Sequence, residues 1–249
     1  MMKTHTNVGG FSIRTSLAKS IEKAWARLAK PGTWWTGEER LAIARETRNA
    51  MACSLCHARK NALSPNHVQG EHDSLGCLSN PAIEAIHRIR TDAGRLTEHW
   101  CVDLQAQGLK DAEYVEIIGI VATVSAIDTF DRAMGFQERL LPISVDGQPS
   151  RHRPVGAKPG MGWLETLTPE DLRPDDPDPF IRFGASNVNR ALTLVPEEAI
   201  AFFDLDIELY FVDREFTKQR AMQLASRALT EEQIELVAAR TASLNGCYY

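Results

Sequence analysis

Eight of the twelve prolines in this 249-residue chain fall between residues 142 and 179: Pro142, Pro149, Pro154, Pro159, Pro169, Pro174, Pro177 and Pro179. Gly147, Gly156, Gly160 and Gly162 lie among them. Proline fixes φ and removes a backbone donor, so neither a long helix nor a central strand runs through such a stretch. It reads as a linker or a surface-hugging loop, and it divides the chain into a tail (1–16), a first folded segment (17–145), the Pro/Gly-rich stretch (146–182) and a second segment (183–249). A composition of 43% hydrophobic and 24% charged residues leaves enough apolar surface for a core and excludes a disordered or fibrous chain.

On either side of the prolines the signals are helical. From Glu38 to about Leu63 there is no glycine or proline, the run is rich in Ala, Arg, Glu and Leu, and Ser64-Pro65 stops it. Cys53 and Cys56 therefore lie on or beside a helix. Asn80-Pro81 reads as a cap followed by proline at the first helical position, with Ala82, Ile86 and Ile89 on one face, and this places His87 on a helix. Leu96, Trp100 and Leu104 recur at helical spacing before Gly108. Asp111 reads as the cap of a long helix to Met134 whose centre is apolar nearly all round, which predicts burial. Pro196 opens another helix, and Thr230-Glu231-Glu232 opens the last. No convincing alternating strand is present, so the expected class is all-α.

Charge narrows the partners. Lys and Arg number 28 and Asp and Glu 33, a net charge of −5, with no basic stripe to neutralise phosphates. Nucleic acid is not an expected partner. The first residues lack the apolar core of an export signal, and the longest apolar stretch, Ile117 to Ile127, falls well short of a membrane span. A cytoplasmic protein without a membrane partner is expected. Five cysteines (Cys53, Cys56, Cys77, Cys101 and Cys247) form no obvious disulfide framework, but Cys53-Ser54-Leu55-Cys56 is a CxxC, the spacing of redox dithiols and of metal sites.

A faint internal repeat accompanies it. With Thr47 set against Thr241, Ile43 through Cys53 aligns with Val237 through Cys247, and the openings at Thr36 and Thr230 correspond when one residue is gapped. The run from Thr230 to Cys247 resembles the active-site helix of the alkylhydroperoxidase AhpD/carboxymuconolactone decarboxylase superfamily. Asn187 to Glu197 and Gly108 to Gly119 resemble flanking segments of the same domain.

The resemblance implies an all-α, AhpD-like helical bundle with one complete copy (17–145) and a partial second copy (183–249). It implies reduction of hydroperoxides by a dithiol without a cofactor or metal, with a thiol protein or small thiol as reductant. Cys56 would be the peroxidatic thiol and Cys53 the resolving one, and Glu235, twelve residues before Cys247, matches the relay glutamate. The first copy departs from the pattern, with Leu41 at the glutamate position and Lys60 where the family has a histidine four residues after the CxxC. The second reaches only Tyr249, one residue before its second cysteine position. Some relatives carry selenocysteine there, encoded by UGA, so the expectation is a native chain that continues through residue 250 to a downstream histidine. The opposing reading makes the last helix a vestigial dimerisation element.

Candidate supports follow from proximity. Arg48, His57, Arg59 and Lys60 lie within two turns of the CxxC, and cations lower a thiol pKa. His57 is the nearest base, His87 faces the site from the next helix or belongs to the core, and Glu46 is a substitute carboxylate or a surface partner of an arginine. Cys77 and Cys101 are expected to be inert. A second class of function stays open: a non-catalytic helical oligomerisation module whose CxxC is structural or binds zinc, with Cys53, Cys56, His67, His72 and Cys77 as the available ligands. A decarboxylase-like enzyme is a third. Apolar helix faces of this kind also point to a homo-oligomer, most simply a dimer.

Overall fold

The computed structural model describes residues 7–8, 11–160, 162–212 and 216–247. Tyr249, where the second CxxC breaks off, lies outside the described residues. In chain order the α-helices are α1 (Thr15–Arg27), α2 (Gly37–Asn49), α3 (Ser54–Asn61), α4 (Asn80–Asp92), α5 (Glu98–Ala106), α6 (Asp111–Ala133), α7 (Phe180–Phe183), α8 (Asn187–Arg190), α9 (Pro196–Leu209), α10 (Thr217–Ala225) and α11 (Glu231–Leu244). The class is all-α. The described extended pairing is limited to a two-residue antiparallel pair, Asn7–Val8 with Phe11–Ser12, and one isolated bridge between Lys158 and Thr166. No helix among the described residues is long and apolar enough to cross a membrane.

The long apolar helix is the axis of the fold. Ile117, Ile120, Val121, Val124 and Ile127 of α6 are buried against Trp25 of α1, Ile43 of α2, Ile86 of α4 and Leu205 of α9. A second apolar cluster seats Ala199 and Phe203 of α9 on Ala112 and Val115 of α6. Gly119 permits this approach, since a Cβ there would meet the side chain of Glu198. The central charges are paired: buried Arg40 of α2 bonds Glu116 of α6 and, at 3.2 Å, Glu198 of α9, and Arg27 reaches Glu198 at 2.6 Å. Unpaired, each of these charges would cost several kcal/mol to bury.

The proline-rich stretch is a strap laid on the helices. Val145 N–H donates to Ala29 O at 2.8 Å and Arg151 N–H to Thr33 O at 2.8 Å, and Leu167 is fully buried beneath it.

Three boundaries differ from the sequence reading. Helix α4 is capped by Ser79, one residue before the expected Asn80, and α6 by Lys110, one residue before the expected Asp111. More consequentially, the uninterrupted run from Glu38 to Leu63 is two helices: α2 ends at Asn49, a 3₁₀ turn covers Ala50–Ala52, and Cys53 is extended (φ −68°, ψ 125°) as the N-cap of α3. The break has a long-range cause. Asp73, nineteen residues away, accepts from Ser54 N–H at 2.7 Å and from the Ser54 hydroxyl, and so caps α3 from outside the local chain.

Candidate functional site: a cysteine–histidine cluster

The interruption at Cys53 turns both thiols of the CxxC toward one buried point. Cys53, the N-cap of α3, and Cys56, in its first turn, are 0% and 1% exposed, and Leu55 and Val68 pack around them. Two histidines complete the group. His72, on the loop that follows the 3₁₀ turn Pro65–His67, places Nδ1 3.5 Å from each sulphur, and His87, fully buried on α4, places Nδ1 3.2 Å from Cys56 Sγ. The rings are 4.1 Å apart between centroids.

Each histidine is held from behind by a carboxylate. His87 Nε2–H donates to Glu46 Oε1 at 2.8 Å; Glu46 also accepts from Asn49 Nδ2 at 3.0 Å and from Leu75 N–H at 3.0 Å. His72 Nε2–H donates to Glu84 Oε2 at 2.7 Å, and Glu84 accepts from Arg59 and from Trp100 Nε1 at 3.1 Å. Acceptors behind both Nε2 atoms assign a proton to each of those nitrogens and turn both Nδ1 atoms toward the sulphurs.

The electrostatics follow this wiring. Burial opposes ionisation of Glu84, yet His72, Arg59 and Trp100 outweigh it and bring its pKa down to about 2. Burial also opposes charge on His72, but the hydrogen bonds with Cys56, Glu84 and Cys53 push it up to about 10. At Cys53, burial favours the thiol, while the backbone N–H of Cys56 and the His72 ring hold it below the ordinary cysteine value. His87 goes the other way, its pKa lowered chiefly by burial. One histidine is thus disposed to carry charge and the other to remain neutral.

Cys53, Cys56 and His87 come together as candidate residues. Glu46 does as well, though it is buried on His87 and, among the described residues, pairs with no arginine. His57 is exposed and bonds Met51 O at 2.8 Å, outside the cluster. Arg48 is turned to Asp128 and stacks over Trp25, whereas Arg59 reaches the cluster through Glu84 and Lys60 borders the cavity at Cys56. His67 and Cys77 are exposed and outside the cluster. Cys101 is buried, and burial raises its pKa. In the second segment, Glu235 accepts from the Tyr210 hydroxyl at 2.5 Å and from Arg220 at 2.9 Å, and Cys247 is exposed beyond the far end of α11. Glu235 is in the second turn of α11, and Cys247 lies three residues past Leu244, where that helix ends.

Glu84 escaped sequence reading altogether, because a glutamate in an amphipathic helix carries no local sign that it will orient a histidine. A cavity of about 650 Å³ opens onto Cys56, bordered by Met51, His57, Lys60, Arg90 and Arg95. A second, of about 570 Å³, is lined in part by His72 and Glu84. Compared with known proteins, the chain matches no family model, no curated protein and no solved structure.

Proposed function

We propose that the protein is a dithiol oxidoreductase that reduces hydroperoxides through Cys56 and Cys53. The observation that carries this reading is the chain Glu46–His87–Cys56, 2.8 Å and 3.2 Å long in its two links, whose Cys56 borders a cavity and stands beside a second thiol. The likeness of the sequence to the AhpD superfamily supports it, with Glu46 and His87 standing in for the glutamate and histidine that the first copy lacks.

In this mechanism neutral His87 accepts the Cys56 proton through Nδ1, while Glu46 fixes the ring and stabilises the imidazolium. The Cys56 thiolate attacks the distal peroxide oxygen, the O–O bond breaks, and the alkoxide leaves as alcohol with the proton from His87. Cys56 is then a sulfenic acid. Cys53, held toward thiolate, attacks that sulphur and closes a disulfide, and the hydroxide it expels takes a proton from the His72 imidazolium and leaves as water. An external thiol reductant restores the pair. A reducing compartment such as the cytoplasm is the setting such a cycle requires.

Lys60, Arg90 and Arg95 outnumber Asp92 at the cavity and support a hydroperoxide that carries an anionic group. The exposed apolar residues Leu236, Val237 and Leu244 of α11 favour a homodimer, which light scattering tests directly.

The decisive experiment is free-thiol titration of reduced protein before and after one equivalent of hydroperoxide. Loss of two thiols, abolished in Cys56→Ser and converted to a persistent sulfenic acid in Cys53→Ser, is the expected result. Unchanged thiols over hours would rule the activity out. A carboxylate-bearing hydroperoxide should react faster than tert-butyl hydroperoxide.

A further inference from the structure

We propose that the reduced protein binds one zinc ion between Cys53, Cys56, His72 and His87. This goes beyond the peroxidase reading and does not depend on it, since it stands on the geometry of four side chains. Their ligand atoms all lie within 4.8 Å of one another. A tetrahedral zinc with Zn–S of about 2.3 Å and Zn–N of about 2.0 Å separates sulphur from nitrogen by roughly 3.5 Å. Three of the four sulphur–nitrogen distances here are 3.5, 3.5 and 3.2 Å, and the fourth, Cys53 to His87, is within 4.8 Å. Closing the widest pair by about 1 Å completes such a shell.

Three further features point to a metal rather than to hydrogen bonding alone. Both Nδ1 atoms face the sulphurs while both Nε2–H groups donate to carboxylates, the arrangement by which outer residues orient and strengthen histidine ligands; a metal at that point takes the place of the Nδ1 proton of His72. A dication with two thiolates and two neutral imidazoles sums to zero charge, so the assembly is buried without an unpaired ion. Four ligands from the protein and near-complete burial make a closed site, and an S₂N₂ donor set selects zinc over magnesium or calcium. The set differs from the one the sequence suggested: His87 of α4 takes the place of His67 and Cys77.

Zinc and hydroperoxide then compete for the same sulphurs. The metal-bound form holds Cys56 out of reaction, and the metal-free form is the one open to oxidation.

The test uses the full chain, reduced and freed of metal, titrated with cobalt(II) and then zinc. One cobalt per chain with a thiolate charge-transfer band and the intense visible bands of a tetrahedral site, displaced by one zinc, is expected. His72→Ala, on a loop and therefore least disruptive to folding, should weaken zinc binding by at least about 100-fold, and Glu84→Gln by about 10- to 100-fold. His67→Ala should leave it unchanged. Absence of a thiolate–cobalt band in folded, fully reduced protein overturns the proposal. So does binding that survives His72→Ala and Cys53→Ser but is lost in Cys77→Ser or Cys247→Ser. Hydroperoxide titration of the metal-free sample separates the two readings: zinc bound with thiols inert keeps the metal site and removes the peroxidase, and reactive thiols without metal do the reverse.

Discussion

Helix α2 with the turn to Cys53 and helix α11 with the turn to Cys247 share a layout. Thr36 and Thr230 cap them, each in a reciprocal capping box with the residue three places on, Glu39 and Gln233. The caps and the cysteines are both 194 residues apart (230 − 36 and 247 − 53), so the two openings correspond without the gap that the sequence alignment called for. Yet α2 buries Leu41, Ile43, Ala44 and Thr47 against α6 and its neighbours, whereas no described residue of α11 is buried. Arg40 sits in a buried ion network where its counterpart is Ile234; Glu46 orients His87 where its counterpart is Arg240. Equal caps and equal helical propensity start equal helices, but the histidines that surround a thiol come from other elements, and Glu46 of α2 serves the site only because α4 brings His87 against it. Cys53 has these groups from α2, α4 and the Asp73 loop, and Cys247 is exposed.

The contrast yields predictions in descending size. Arg40→Ala leaves Glu116 and part of Glu198 uncompensated in the core; it should cost about 3–5 kcal/mol in urea unfolding, and Arg40→Met distinctly less. Next come the matched positions Ile43, fully buried, and Val237, 62% exposed. Ile43→Ala should lose about 2–5 kcal/mol, and Val237→Ala should stay within about 0.5 kcal/mol. Equal losses would show that α11 is covered in solution and erase the comparison. At the site, Glu46→Gln should slow hydroperoxide-driven thiol loss by about 10- to 100-fold in stopped-flow measurements with little change in circular dichroism, while Glu235→Gln should leave that rate unchanged. The smallest effect concerns Tyr210, whose pKa is pushed up to about 12 by burial and by Glu235. Removing that negative charge favours the phenolate, so Glu235→Gln should move the midpoint down in a titration followed by tyrosinate absorbance.

Much of this was readable along the chain. Helices α4, α6, α9 and α11 follow from caps, prolines and apolar spacing, and the positive φ of Gly108 and Gly135 (101° and 72°) matches their places just past helix ends. The break before Cys53 was not readable, because it is imposed by the Asp73 carboxylate and leaves no glycine or proline behind. Glu46 was visible as a nearby acid, but its burial depends on α4 packing across α2.

The sequence by itself determined an all-α chain, a proline-rich linker or surface loop, a CxxC on or beside a helix and a second cysteine stretch of similar local design, since caps, φ restriction and periodicity act over a few residues. Only the tertiary structure decided that His72 and His87 meet both sulphurs, that Glu84 and Glu46 stand behind them, and that Glu235 serves Tyr210 and Arg220. These contacts span 12 to 41 residues of chain in the first cluster, and such separations are closed by helix packing around α6, which no local pattern encodes.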